Sequence, residues 1–316
     1  MPFKKYISII IKIVVVFFSF YFIYKQLTQN NDFESLDFDN ILNVLKENSN
    51  QIYIVLVMMF MNWLFEALKW RYMIKKIESV SILRSLRAIF TGITVSTFTP
   101  NRIGEYGGRV FCLEKGDRIK GVFITVLCSM AQLLTTIIYG SISLFILFDE
   151  ILIDISLFSI SLLFVVNVLI LISYFKISTI IKFLSELNFL RKLERYLEVF
   201  SLYSFKDLLI TFIFSNIRYF IFSLQFIILL NVFGVDVQFV NALLSVMLIF
   251  FFITVTPTIT IAEIGVRGSV AIFVLGLFSS NDIGIISATT TLWLINLILP
   301  AIIGSFFVFS LKIFRS

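Results

Sequence analysis

Apolar residues run in long stretches separated by short charged ones. A membrane-spanning helix needs about 20 mostly apolar residues. Six stretches meet that length: 7–24, 51–70, 121–148, 155–175, 208–233 and 284–311. Two more, 84–99 and 239–256, end at Thr99-Pro100 and Thr256-Pro257, and the first is too short to cross a bilayer comfortably. Stretch 176–206 has a different pattern. Ile177, Ile180, Ile181, Leu184 and Leu187 fall at helical spacing, with Lys182 and Glu186 off that stripe, and Leu190, Leu193 and Leu197 continue it. This predicts an amphipathic helix lying on the membrane surface, either as a tether or as a regulatory face.

Composition fixes the solvent. Apolar residues are 59% of the chain and charged ones 15%, against about 45–50% and 25% in soluble domains. The expected fold class is an all-α polytopic membrane protein. The net charge of +6 does not imply nucleic-acid binding, because the bases sit beside the spans, where they set topology. The chain has no histidine, which removes imidazole bases, Ser-His-Asp triads and His-ligated metals. Cys112 and Cys128 lack a C-x-x-C spacing and have apolar flanks, so both read as buried thiols. No cofactor or metal is expected. The first apolar stretch lacks a small-residue cleavage site and reads as a retained anchor.

Loop charge sets the orientation. The N-terminus carries Lys4 and Lys5, and the C-terminus Lys312 and Arg315. Segment 25–50 is acidic, with Asp32, Glu34, Asp37, Asp39 and Glu47. Segment 69–87 is basic, with Lys69, Arg71, Lys75, Lys76, Arg84 and Arg87 against Glu78. Segment 149–154 is acidic and 176–207 holds six bases. Six full spans with both termini cytoplasmic in the cell membrane fit this pattern. They fit only if 84–118 is a re-entrant, broken-helix element entered from the cytoplasm, and 239–281 one entered from the other side. A full span over 257–279 is the alternative. The division is then a single transmembrane domain over 1–316. Residues 1–50 form an anchor helix and external loop, 51–175 a first repeat, 176–206 the cytoplasmic linker and 207–316 a second repeat. The two repeats have inverted topology, a common transporter plan.

Each repeat carries the same string. Glu105-Tyr106-Gly107-Gly108-Arg109 and Glu263-Ile264-Gly265-Val266-Arg267 both read E-x-G-x-R, 158 residues apart in a chain of 316. Chance would supply roughly 0.02 copies per chain of this composition, so a duplication is expected. Pro100 and Pro257 interrupt helical hydrogen bonding. Gly104, Gly107 and Gly108, with Gly265 and Gly268, permit tight turns and close approach. Each motif therefore reads as a broken helix followed by a new one whose free N–H groups suit an anion. Arg109 and Arg267 lie nearby, and guanidinium with free amides makes a phosphate receptor. The competing account is that Glu105 with Arg109, and Glu263 with Arg267, are i,i+4 pairs that simply neutralise each other. Further intramembrane candidates are Arg218, with Asn216 and Gln225 on its span; Asn62 and Glu66; and Arg102. Gln132 and Asn296 are weaker, since a lone amide commonly joins helices.

These motif regions, Ser96-Thr97-Phe98-Thr99-Pro100-Asn101-Arg102-Ile103-Gly104-Glu105 with Gly107-Gly108-Arg109, and Thr256-Pro257 through Arg267, resemble the flippase-like membrane domain of lysylphosphatidylglycerol synthases. The resemblance covers nearly the whole chain. It implies translocation of a phosphate-bearing lipid, a phospholipid or a polyprenyl-phosphate-linked precursor, with Glu105, Arg109, Glu263 and Arg267 carried over. The chain ends at Ser316, which leaves no room for the soluble aminoacyl-transferase domain, so no enzyme activity is expected. A separate lipid-modifying enzyme is then a candidate partner.

Two other functions compete. Asp37-Phe38-Asp39 is a D-x-D in an external loop, the arrangement with which some lipid-linked glycosyltransferases hold metal, and it supports an integral membrane transferase. A scaffold without transport is the third option, and the duplicated charged motifs argue against it.

Overall fold

A computed structural model describes residues 38–97, 99, 102–147, 157–185, 194–256 and 263–308. The anchor expected at 7–24, and Asp37, Pro100 and Pro257, lie outside them. The described residues form helices and no strand. In chain order these are α1 (Phe38–Glu47), α2 (Ser49–Ile74), α3 (Ile82–Thr97), α4 (Gly104–Val110), α5 (Arg118–Ile146) and α6 (Leu157–Phe175). There follow α7 (Ile177–Ser185), α8 (Glu194–Leu197), α9 (Phe205–Val232), α10 (Phe239–Val255), α11 (Glu263–Leu275) and α12 (Asp282–Val308).

Four of these, α2, α5, α9 and α12, are long and apolar enough to cross a membrane. They match four of the six expected spans. The stretch at 155–175 is one arm of a bent pair: the chain turns by 82° between Ser161–Phe175 and Ile177–Phe183, and the pair counts as a fifth span only if taken together. The two elements ending in Thr-Pro are short, 16 residues in α3 and 17 in α10. Each is followed by a separate helix carrying the motif, α4 and α11. At 1.5 Å per residue the 13 residues of α11 reach about 20 Å, less than the roughly 30 Å hydrocarbon core.

Local sequence sets the helix boundaries. Asp117 caps α5, accepting from Ile119 N at 2.9 Å and Lys120 N at 3.3 Å. Ser204 and Asp207 form a reciprocal capping box at the start of α9, an arrangement that satisfies two otherwise orphaned N–H groups. The α9 C-terminus closes on Gly234, whose φ of +68° favours glycine. Asn281 caps α12 through Gly284 N and ties that helix to the carbonyls of Phe233 and Gly234.

The centre is a contact between α2 and α9. Gln225 Nε2 donates to Val55 O at 2.9 Å, and Lys69 Nζ to Ser215 Oγ at 3.2 Å. Around this pair the two halves exchange support. On α12, Gly304 lies so close to α3 that an added Cβ would sit 2.1 Å from Phe90 O. Thr94 Oγ1 donates to Ala301 O at 2.8 Å beside it. On α5, Gly140 makes room for the Phe251 side chain of α10, with a hypothetical Cβ 2.2 Å from the Phe251 Cβ. Ser143 Oγ donates to Leu244 O at 2.5 Å. Small residues at these crossings let backbones approach, as membrane helix packing favours.

Candidate functional site

Glu66 of α2 is the hub of a buried ion cluster. Its carboxylate lies 2.8 Å from Lys69 Nζ and 2.7 Å from Arg109 Nη1, and it also pairs with Arg218 Nη1. Arg109 completes its fork on Glu105. Glu66, Lys69 and Arg109 are at most 3% exposed. Burying charge is costly unless it is paired and hydrogen-bonded, which explains the chain of contacts. Among the described residues the pairing is incomplete in one respect: three cations share two carboxylates, leaving one positive charge in excess.

Arg218, on α9, is the member of this cluster that lines a cavity. Its Nε donates to Asn62 Oδ1 at 3.1 Å and to Asn62 O at 3.2 Å, and its Nη1 to Gln132 Oε1 at 3.2 Å. Its guanidinium lies 5.2 Å from the centroid of the Trp63 ring, a cation–π distance. α2 and α5 thus hold in place a side chain contributed by α9.

The cavity is half-open, of about 260 Å³, and lies in the helix bundle. Three arginines line it: Arg218, Arg102 from the loop before α4, and Arg267 from α11. Asn62, Gln132 and Asn296 add amides, and Trp63, Trp293 and Tyr219 add aromatic walls with polar edges. No carboxylate of the described residues lines it. Both halves of the chain contribute. Arg102 reaches the cavity from a left-handed backbone conformation, φ +56°; for a non-glycine residue this costs of order 1–3 kcal/mol and commonly marks a functional position.

The sequence-predicted residues divide into two groups. Arg102, Arg218 and Arg267 meet at the cavity. Arg109 and Glu105 do not line it; they stand behind Arg218, joined to it through Glu66. The i,i+4 pair expected of Glu105 and Arg109 is present, while the Glu263 side chain lies outside what is described. The first motif also departs from the free helix end expected of it. Gly104 N is taken by Thr99 Oγ1 at 2.8 Å, and Tyr106 N donates to Ile103 O at 3.2 Å. The glycines there serve packing. A Cβ on Gly108 would lie 2.7 Å from Gly92 Cα, so α3 and α4 touch backbone to backbone. Gly107 faces open space. Gly265 and Gly268 are in the first turns of α11.

Loop charge places Lys69 among the bases that set topology. Its Nζ is instead inside the bundle, 1% exposed, drawn there by Glu66 one helical turn earlier. The loop after α2 stays basic without it. Gln132 and Asn296, the weaker sequence candidates, both reach the cavity. Trp63, Trp293 and Tyr219 were missed. Their positions beside Asn62 and Arg218 and one turn before Asn296 were the available signal.

Among known families, one described as the lysylphosphatidylglycerol synthase TM region matches residues 9–304. No curated protein matches the chain at a meaningful level.

Proposed function

The chain belongs to the lysylphosphatidylglycerol synthase TM region family, a multi-pass membrane family with a lipid-related function, and on that premise we propose that it is a flippase moving a phosphate-bearing lipid between leaflets. One observation carries this: a half-open cavity in the bundle that is lined by arginines from both halves. An excess of buried positive charge next to such a space suits a phosphate. The lipid chains would stay in the bilayer while the headgroup passes through.

The exchanged packing supports an inverted repeat. α12 leans on α3 through Gly304, and α5 leans on α10 through Gly140, so corresponding elements make corresponding contacts. α2 and α9, the spans before the two motifs, meet at the centre. Two broken elements facing one site from opposite sides is an arrangement that serves alternating access. The cytoplasmic placement of both termini, in the cell membrane, follows from loop charge and belongs to the same proposal.

The experiment is leaflet exchange of a labelled phospholipid in liposomes. Arg267→Ala is expected to lower exchange at least tenfold with the melting temperature kept. Wild-type exchange in that variant overturns the site. The competing function, an integral transferase, depends on Asp37 and Asp39. Replacing both by Asn abolishes activity in a transferase and leaves a flippase unchanged.

A further inference from the structure

The two arginines of the ion cluster are held in opposite ways. Arg109 spends both terminal nitrogens on carboxylates, Nη1 on Glu66 and Nη2 on Glu105, and its Nε is buried. It has no nitrogen open to a ligand. Arg218 is gripped from one side only. Its Nε donates to Asn62 Oδ1 and Asn62 O, and its Nη1 to Glu66 and to Gln132 Oε1. Its Nη2 makes none of these contacts and is not among the buried unpartnered atoms. It therefore keeps open surface, and the cavity is what Arg218 lines.

The same grip orients two amides. A guanidinium has donors and no acceptor, so Asn62 and Gln132 must turn their oxygens toward Arg218. Their NH2 groups then point away from it, which settles an orientation that side-chain amides otherwise leave open. Asn62 Nδ2 and Gln132 Nε2 find no acceptor among the described residues, and neither is among the buried unpartnered atoms. Asn62 is only 3% exposed, and it too lines the cavity, as does Gln132. Three open nitrogens thus come together from α9, α2 and α5, each amide within 3.2 Å of Arg218 through its oxygen.

All three nitrogens donate, and the oxygens of both amides are already taken. A set of this kind suits an oxyanion with several lone pairs. We propose that Asn62 and Gln132 are ligand-binding residues with two tasks each: the oxygen fixes Arg218, and the nitrogen donates beside Arg218 Nη2 to the same phosphate oxygens. This rests on the transport function proposed above. Arg109, by contrast, holds Glu66 in place and touches no ligand.

The test uses the full chain and acyl-labelled phosphatidylglycerol. Binding is titrated by native mass spectrometry, and exchange is followed in liposomes. Gln132→Met and Asn62→Leu are each expected to weaken binding at least about tenfold, the scale of a hydrogen bond to a charged group. An Arg218→Gln background separates contact from positioning. A residue that acts only by positioning Arg218 costs nothing further once Arg218 is gone. Gln132→Met is expected to weaken binding by about threefold or more in that background, a loss that a positioning role alone does not produce.

Unchanged binding in Gln132→Met overturns the proposal, even where Asn62→Leu fails to fold. Equal affinities of Arg218→Gln and the double variant overturn it as well and leave transport standing. Binding that follows the expected pattern without lipid exchange removes transport and leaves the three donors standing. Labelled inorganic phosphate that enters the lumen without lipid exchange, and is lost in the same variants, gives the donors to free phosphate and overturns lipid transport. Neither binding nor exchange of either probe overturns both.

Discussion

Arg218, on the span before the second motif, is ion-paired to Glu66, on the span before the first. The two helices that begin the halves are thus joined by a charge pair at their crossing, and the same carboxylate also holds Lys69 and Arg109. The three cations therefore depend on one residue, and substitutions in the cluster are not equivalent.

Removing Glu66 leaves three cations against Glu105 alone. Glu66→Gln is expected to destabilise the fold by about 3–5 kcal/mol, the usual cost of breaking a buried pair from one side. Thermal unfolding in detergent checks it. An unchanged midpoint would falsify the hub role.

Removing one cation has the opposite character, because two cations then face two carboxylates. Arg218→Gln and Lys69→Met are both expected to fold. They separate by function: Arg218 lines the cavity and Lys69 does not. Lipid exchange should fall at least tenfold in the first and stay within about twofold in the second. Equal losses in both would show that cluster charge, not cavity contact, governs transport.

Gly108 should tolerate no side chain. An added Cβ falls 2.7 Å from Gly92 Cα and 3.1 Å from Thr91 O, so the clash is with backbone. Gly108→Val is expected to cost about 1–3 kcal/mol or more, the range of overpacked cores. Gly107→Ala, one residue earlier, meets nothing within 4 Å and should be nearly neutral. The ratio of folded yields in detergent measures the contrast.

Arg102 stores strain for the cavity. Arg102→Gly removes the side chain and relieves the left-handed backbone, so the melting temperature should hold or rise while exchange falls. Loss of both together would place Arg102 in folding rather than in the site.

Glu78 gives a pH dependence away from the membrane-spanning helices. Burial pushes its carboxyl up, but the N–H groups of Gly116, Lys115 and Glu114, with Arg84, outweigh that and hold it below the ordinary value. A depressed carboxylate stabilises the fold above its unfolded pKa, near 4.3, and loses that contribution as pH falls through the folded value. The loop carrying residues 114–116 should therefore loosen only below about pH 4. Hydrogen exchange of those three amides against pH tests this, and Glu78→Gln should abolish the dependence.

The hydrophobic pattern exposed most of the fold. Four spans are continuous helices where apolar length predicts them, and α3 and α10 end where the Thr-Pro pairs put their ends. The bend between α6 and α7 falls where the pattern changes from the apolar stretch ending at 175 to the amphipathic spacing that begins at Ile177. Half of the site was legible for the same reason: a charge inside an apolar run is conspicuous, so Arg102, Arg218 and Arg267 were found. The differing roles of Arg109 and Arg267 were not, since one string repeated twice does not say which copy meets Glu66. Trp63, Trp293 and Tyr219 look like ordinary bulk in a chain with 38 phenylalanines.

The exchanged contacts at Gly304 and Gly140 restrict how this molecule can move. Each broken element has its flank clamped by a long helix from the opposite half. Tilting α3 drags the C-terminal part of α12, and tilting α10 drags the C-terminal part of α5. In the transport cycle proposed above, two doors would be hung so that each is hinged on the other's frame, and such a mechanical linkage would let one opening be felt at the other without any ligand passing between them.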